Sequence, residues 1–145
     1  MPVQTDDGNN TVMYGFEGII YAAESGADII SNSWGLTIPA PDTVVNAIND
    51  VASNGRGGKG CVVLFAAGNS NTNISAPGAG ELAALDSVIA VGASTNKDVK
   101  ACYSSWGTDL DVMAPSNTWI NGVCPSPMPI DAVGTWSTDQ GGIGG

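Results

Sequence analysis

Histidine is absent from this chain of 145 residues. Imidazole is the usual general base near neutral pH, so neither a His-based proton relay nor a His-ligated metal site can be built from these residues alone. Cations are scarce as well. Arg56, Lys59, Lys97 and Lys100 stand against 14 carboxylates, for a formal net charge of −10. Nucleic-acid binding needs a basic footprint, and adsorption to an anionic membrane needs cations, so both are excluded as expectations. No apolar run approaches the roughly 18 residues that a membrane-spanning helix requires. The opening residues, MPVQTDDGNN, have neither a basic start nor an apolar stretch, so no signal peptide is expected among them. Cysteine is limited to Cys61, Cys102 and Cys124, with no CxxC pair. Zinc and thioredoxin-type readings are therefore weak. One disulfide with one free thiol fits the count, and so do three buried thiols.

What is present describes a globular domain. Hydrophobic residues make up 43% of the chain and charged residues 12%, too apolar a mix for disorder. The length fits one domain, 1–145, with 117–145 a Gly/Pro/Ser-rich tail whose structure is hard to read. The 20 glycines imply many tight turns.

Hydrophobic periodicity predicts the elements. Phe16, Ile19, Ile20 and Ala23 recur at helical spacing, which predicts a helix over Asn10 to Gly26, capped by Asn10 or Thr11 and closed by Gly26. Asp28 to Ser33 reads as a short strand stopped by Gly35. Val44, Ile48, Val51 and Ala52 share one face of a second helix, Asp42 to Asn54, with Gly55 as its stop. The continuous apolar run Cys61 to Ala67 predicts a strand buried on both faces. Val88 to Val91 predicts a third strand, and Asp109 to Met113 a fourth, ended by Pro115. Strands alternating with helices imply βαβ units. The expected fold is α/β, three-layer, with a mainly parallel sheet flanked by helices. Ligands of such sheets sit beyond the carboxyl ends of the strands. Two of those ends, Ser33-Trp34-Gly35 and Ala67-Gly68-Asn69, carry small or polar residues.

Asn69 is the residue with most chemistry to offer. An Asn just past a buried strand presents an amide N–H that can stabilise a developing oxyanion. Equally, a Gly-Asn pair can be a turn in which Asn bonds its own backbone. Gly78-Ala79-Gly80-Glu81-Leu82-Ala83 formally fits G-x-G-x-x-A, yet no clear strand precedes it and Pro77 does, so the dinucleotide test fails. Gly58-Lys59-Gly60 lacks the Ser or Thr of a phosphate loop. Asn9-Asn10-Thr11 and Asn73-Ile74-Ser75 match the glycosylation pattern, which is common by chance.

Four ordered blocks resemble the subtilisin-like serine proteases, the subtilases. Gly26 to Gly35 resembles the family's strand ending in Ser-aromatic/Leu-Gly. Phe65-Ala66-Ala67-Gly68-Asn69-Ser70 is similar to its Ala-Gly-Asn strand. Ser87-Val88-Ile89-Ala90-Val91-Gly92-Ala93 is similar to its Val-Ile-Ala-Val-Gly-Ala strand. Tyr103-Ser104-Ser105-Trp106-Gly107, followed by Asp109-Leu110-Asp111-Val112-Met113-Ala114-Pro115, resembles a further block. Together they cover roughly residues 14–116.

The resemblance implies roles. Asn69 would donate its side-chain amide to a tetrahedral oxyanion. Ser33, Trp34 and Gly35 would line the substrate cleft and pair with peptide backbone, although Trp34 also reads as a core aromatic. Ala67 and Gly68 would leave room for a large apolar side chain before the scissile bond. The family's Asp-x-Gly and His-Gly-Thr segments normally lie upstream of such blocks, and its Gly-Thr-Ser nucleophile downstream. Met1-Pro2-Val3 resembles the end of the strand after the histidine helix, and Gly141 to Gly145 falls short of the serine helix. The expectation is thus an internal part of a serine endopeptidase domain, without the Asp, His and Ser of the triad, and inactive alone. A non-catalytic peptide-binding or assembly module is the alternative.

Ser33, Ser104, Ser105 and Cys102 are substitute nucleophiles by type only, since no His activates them. A Ser–Lys pairing would need Lys59, Lys97 or Lys100. No cofactor is expected, with calcium entertained through the resemblance alone. The family's acidic pair matching Asp109 and Asp111 helps form a weak cation site, but a solvated strand face accounts for two carboxylates as well. The expected partner is a peptide or protein substrate of the complete enzyme. Self-association through exposed sheet edges is also expected. By resemblance the parent protein is secreted or extracellular.

Overall fold

The computed structural model describes residues 11–36, 39–76, 82–116 and 123–125. The expected Asn10 cap, the first four residues of the Gly78 to Ala83 motif, the resemblance at Met1–Val3 and most of the 117–145 tail lie outside the described residues. Six elements follow in order: α1 (Thr11–Glu24), β1 (Ile29–Asn32), α2 (Asp42–Gly58), β2 (Val62–Ala66), β3 (Ile89–Ser94) and β4 (Val112–Pro115). The strands form one sheet in the order β1-β2-β3-β4, and every pairing is parallel. The α/β fold with a parallel sheet is the one expected from the sequence.

Helix ends follow local chemistry. Gly26 donates its N–H to the Ala23 carbonyl and Ala27 donates to Ala22, both at 3.0 Å, which satisfies carbonyls that α1 leaves open. The regular turn of α2 breaks where Gly55 adopts φ −55° and ψ 168°, so its continuous helix ends at Asn54 as expected. Gly60 then donates to the Gly55 carbonyl at 2.8 Å and Cys61 to Val51 at 3.1 Å, steering the chain into β2.

The larger of two apolar clusters forms beneath the sheet. Ile19 of α1 and Val44, Ile48 and Val51 of α2 pack against Ile30, Val63, Phe65 and Ala90 of the strands. The expectation of a β2 buried on both faces is corrected. Val63 and Phe65 are buried, but Val62 is 41% exposed and Ala66 is exposed too. Both described helices pack on one core, so the alternation in β1 and β2 is that of a half-covered sheet. No described helix covers the other face, where Ile29 is also exposed.

The fourth strand is corrected as well. It begins at Val112, because Asp111 first caps the neighbouring strand: its Oδ2 accepts the Ala90 N–H at 2.7 Å and its N–H bonds the Ala90 carbonyl at 3.2 Å. Pro115 belongs to the strand instead of ending it. It is tolerated because β4 has only β3 as a described neighbour, and Ser116 resumes the bonding to Ser94. Of the cysteine alternatives, the fold selects one bridge, Cys102–Cys124, with Cα atoms 5.4 Å apart. Cys61 is a buried free thiol that donates to the Ala27 carbonyl at 3.2 Å.

Candidate functional site

The carboxyl ends of β1 and β2 meet at one cavity. In β1, Asn32 occupies an inward position and is buried. Its Nδ2 donates to the Leu64 carbonyl of β2 at 3.0 Å, and its Oδ1 accepts the Trp34 Nε1–H at 3.2 Å. A buried amide must find such partners or lose stability, so Asn32 ties the exit of β1 to β2 and orients the indole. Trp34 meets Phe65 edge-on, with centroids 5.3 Å apart at 73°. Its rings also lie over Gly15 of α1, where a Cβ would come within 2.8 Å of them. Trp34 is half-buried, so it serves the core and the cavity wall together.

Beyond β2, Ala67 continues the ladder by donating to the Val91 carbonyl at 2.9 Å. Gly68 turns the chain at φ +96° and accepts a bond from the Ser105 N–H at 3.0 Å. Asn69 follows, exposed, and among the described residues nothing hydrogen-bonds its side-chain amide. Ser33, Trp34, Gly35, Ala67, Gly68 and Asn69 all line the same cavity of about 290 Å³. Buried Leu82 and Ala83 line it too, giving it an apolar share. A second space of about 460 Å³ also reaches Ser33, Gly68 and Asn69 and extends to Tyr103 and Ser116. An amide that no described residue engages, beside a small, partly apolar cavity, can donate to an anionic oxygen of a ligand held there.

Sequence reading gave no place at this site to Asn32, Leu82, Ala83 or Ser105. Asn32 carried a usable signal, a polar residue on the inward register of a strand. Ser105 reaches Gly68 and Thr72 across more than 30 residues of chain, which no local pattern encodes.

Two of the substitute nucleophiles are otherwise engaged. Ser104 is buried, with Oγ donating to the Ser105 carbonyl at 3.1 Å and accepting the Ala93 N–H at 2.9 Å. Cys102 is in the disulfide. The Lys100 ammonium donates to Asn71 Oδ1 and to the Ala101 and Ser104 carbonyls, and to no hydroxyl. Asp109 and Asp111 do not form the expected strand face, since both precede β4. Asp111 is spent on the Ala90 N–H, and the described residues contain no group of three or more metal-binding side chains. Calcium takes about six to eight oxygens, more than these two carboxylates supply by themselves.

The model of the subtilase family matches residues 1–141. A calcium-dependent protease of Trichormus variabilis is 36% identical over 144 residues, spanning 89% of this chain and 20% of that protein. Thermitase of Thermoactinomyces vulgaris is 35% identical over 134 residues, spanning 92% of this chain and 44% of that protein. A solved protease of Pseudoalteromonas arctica superposes with a TM-score of 0.61 at 30% identity, covering 74% of this chain and 32% of that one. The chain thus spans from a fifth to under half of these relatives. A match that runs through both cavity-lining segments and nearly the whole sequence leaves one assignment: this chain belongs to the subtilase family.

Proposed function

We propose that these residues form the oxyanion and substrate-cleft portion of a serine endopeptidase. The convergence of Ser33, Trp34, Gly35, Ala67, Gly68 and Asn69 on one cavity carries this reading. A peptide would lie along Ser33 to Gly35 as an added strand. The side chain before its scissile bond would enter between that segment and Ala67-Gly68. The carbonyl oxygen, gaining charge on attack, would receive the Asn69 Nδ2–H. Removing such an amide from subtilisin itself lowers turnover by about 10²–10³, a magnitude that carries over only by family resemblance. Peptide hydrolysis in this family runs through a Ser-His-Asp triad, and a sequence without His cannot supply its base.

Two outcomes are expected of the 145-residue chain. It does not cleave fluorogenic peptides, and turnover abolished by Asn69→Ala would overturn that. It does bind an extended peptide with an apolar side chain, shifting amide resonances of Ser33 to Gly35 and of Ala67 and Gly68. Shifts confined to other regions would overturn the cleft assignment. The Cys102–Cys124 bridge supports an oxidising, extracellular setting for the parent protein.

The alternative, an assembly module, is favoured by one observation: Ile29 and Val62 are 64% and 41% exposed on the face of the sheet that no described helix covers. A dimer or larger species in light scattering is the expected result, and a stable monomer at high concentration argues against it.

A further inference from the structure

We infer that Lys100 is a positioning residue for Asn69, an inference that rests on the oxyanion reading above. Asn69 stands in the segment 67–72, which belongs to no helix or strand, and its own side chain has no described anchor. What fixes the segment is the chain from Lys100 to Trp106 laid against it. Ser105 donates to the Gly68 carbonyl at 3.0 Å, Asn71 to the Tyr103 carbonyl at 2.8 Å, and Trp106 to the Thr72 carbonyl at 2.9 Å.

Asn71, two residues past Asn69, is the junction of the two segments. It adopts φ +50°, a left-handed conformation that is uncommon for any residue but Gly and that Asn tolerates best. Such a conformation persists only where its surroundings hold it. Here three polar groups of Asn71 bond the second segment. Its N–H bonds Tyr103, its carbonyl accepts the Trp106 Nε1–H at 3.3 Å, and its Oδ1 accepts the Lys100 Nζ at 3.0 Å.

Lys100 completes the clamp. An ammonium has three donors. All three find oxygen: Asn71 Oδ1 at 3.0 Å, the Ala101 carbonyl at 3.0 Å and the Ser104 carbonyl at 2.9 Å. One charge therefore gathers the side chain of the oxyanion segment and two carbonyls of its buttress. Bonds from a charged donor are shorter and stronger than neutral ones, which suits a partly exposed joint. Lys100 is itself placed by its bridge to Ser94 at the end of β3, and Cys102 beside it is covalently tied to Cys124. The joint is thus referenced to the sheet and to a crosslink, while Asn69 is referenced to the joint.

The test uses the full isotope-labelled chain in three forms: Lys100→Met, Lys100→Arg and the exposed control Lys59→Met. In Lys100→Met, backbone amides of Gly68 to Thr72 and the Asn69 side-chain amide shift and broaden, whereas those of β1 and α2 stay in place. Affinity for the extended peptide falls about tenfold, the size expected from losing one hydrogen bond to a charged group. Lys100→Arg restores both readouts in large part, and Lys59→Met changes neither. Asn71→Gly removes the same acceptor without adding backbone strain and gives the same local pattern. Unchanged amides at 68–72 in Lys100→Met, or changes spread evenly through the core, overturn the inference. If the wild-type chain binds no peptide, the cleft reading falls, while the Asn69 resonances still decide the role of Lys100.

Discussion

Phe65→Ala is expected to lower the unfolding free energy by about 4 kcal/mol, measured as a shift of the urea midpoint at unchanged slope. Phe65 is 1% exposed and sits on β2, a strand paired on both sides. It stands opposite Asn32 of β1 and Ala90 of β3, and Trp34 meets its ring edge-on. Truncation removes the ring's transfer free energy and leaves a cavity, and the aromatic pair adds about 0.5–1.5 kcal/mol more. Little can move in to fill the gap. The indole is backed by Gly15, which has no side chain to follow it. Domains of this size have about 5–15 kcal/mol in total, so the variant is near its limit. Because Trp34 loses its support, the cavity wall should loosen with the core. A loss under about 1 kcal/mol would mean that the core closes around the missing ring.

Gly60→Ala should be of similar severity, about 4 kcal/mol, from a different cause. Gly60 is buried at φ +77°, and a Cβ there runs into the Ala52 carbonyl oxygen of α2. That oxygen is backbone and cannot rotate away. The turn cannot shift either, since Lys59 and Gly60 bond the Gly55 carbonyl and Cys61 bonds Val51. Gly58 supplies the control. Its φ is +92° but a Cβ would meet open space, so Gly58→Ala should cost only the strain, about 1 kcal/mol. Equal losses for the two substitutions in thermal or urea unfolding would show that the Ala52 contact does not matter.

Much of the fold could be read from the sequence because its elements are locally encoded. The i, i+3, i+4 spacing of Phe16, Ile19, Ile20 and Ala23 marks α1, and Gly55 marks the end of regular α2. What failed depended on distant partners. The run from Cys61 to Ala67 looks equally apolar whether a sheet is covered on one face or two, and only the placement of the helices decides it. The start of β4 depends on Asp111 being claimed by Ala90, which is 21 residues away. The six residues that line the cavity could be picked out because the carboxyl ends of parallel strands are where such sheets open. The bonds beside them, Asn32 on Leu64 and Lys100 on Asn71, reach across 32 and 29 residues and leave no periodic trace.

Cys61 has a consequence of another kind. Its thiol is shut in where the last turn of α2, the entry to β2 and the chain leaving α1 come together, with its hydrogen bond given to Ala27. An alkylating reagent reaches a buried thiol only in molecules whose packing has opened. The same sulfur that fills a gap beside Gly55 is therefore a chemical clock set in the hinge of the βαβ unit. Its labelling rate counts how often that junction comes apart, whereas the crosslinked segment of Cys102 and Cys124 carries no free thiol to confuse the count.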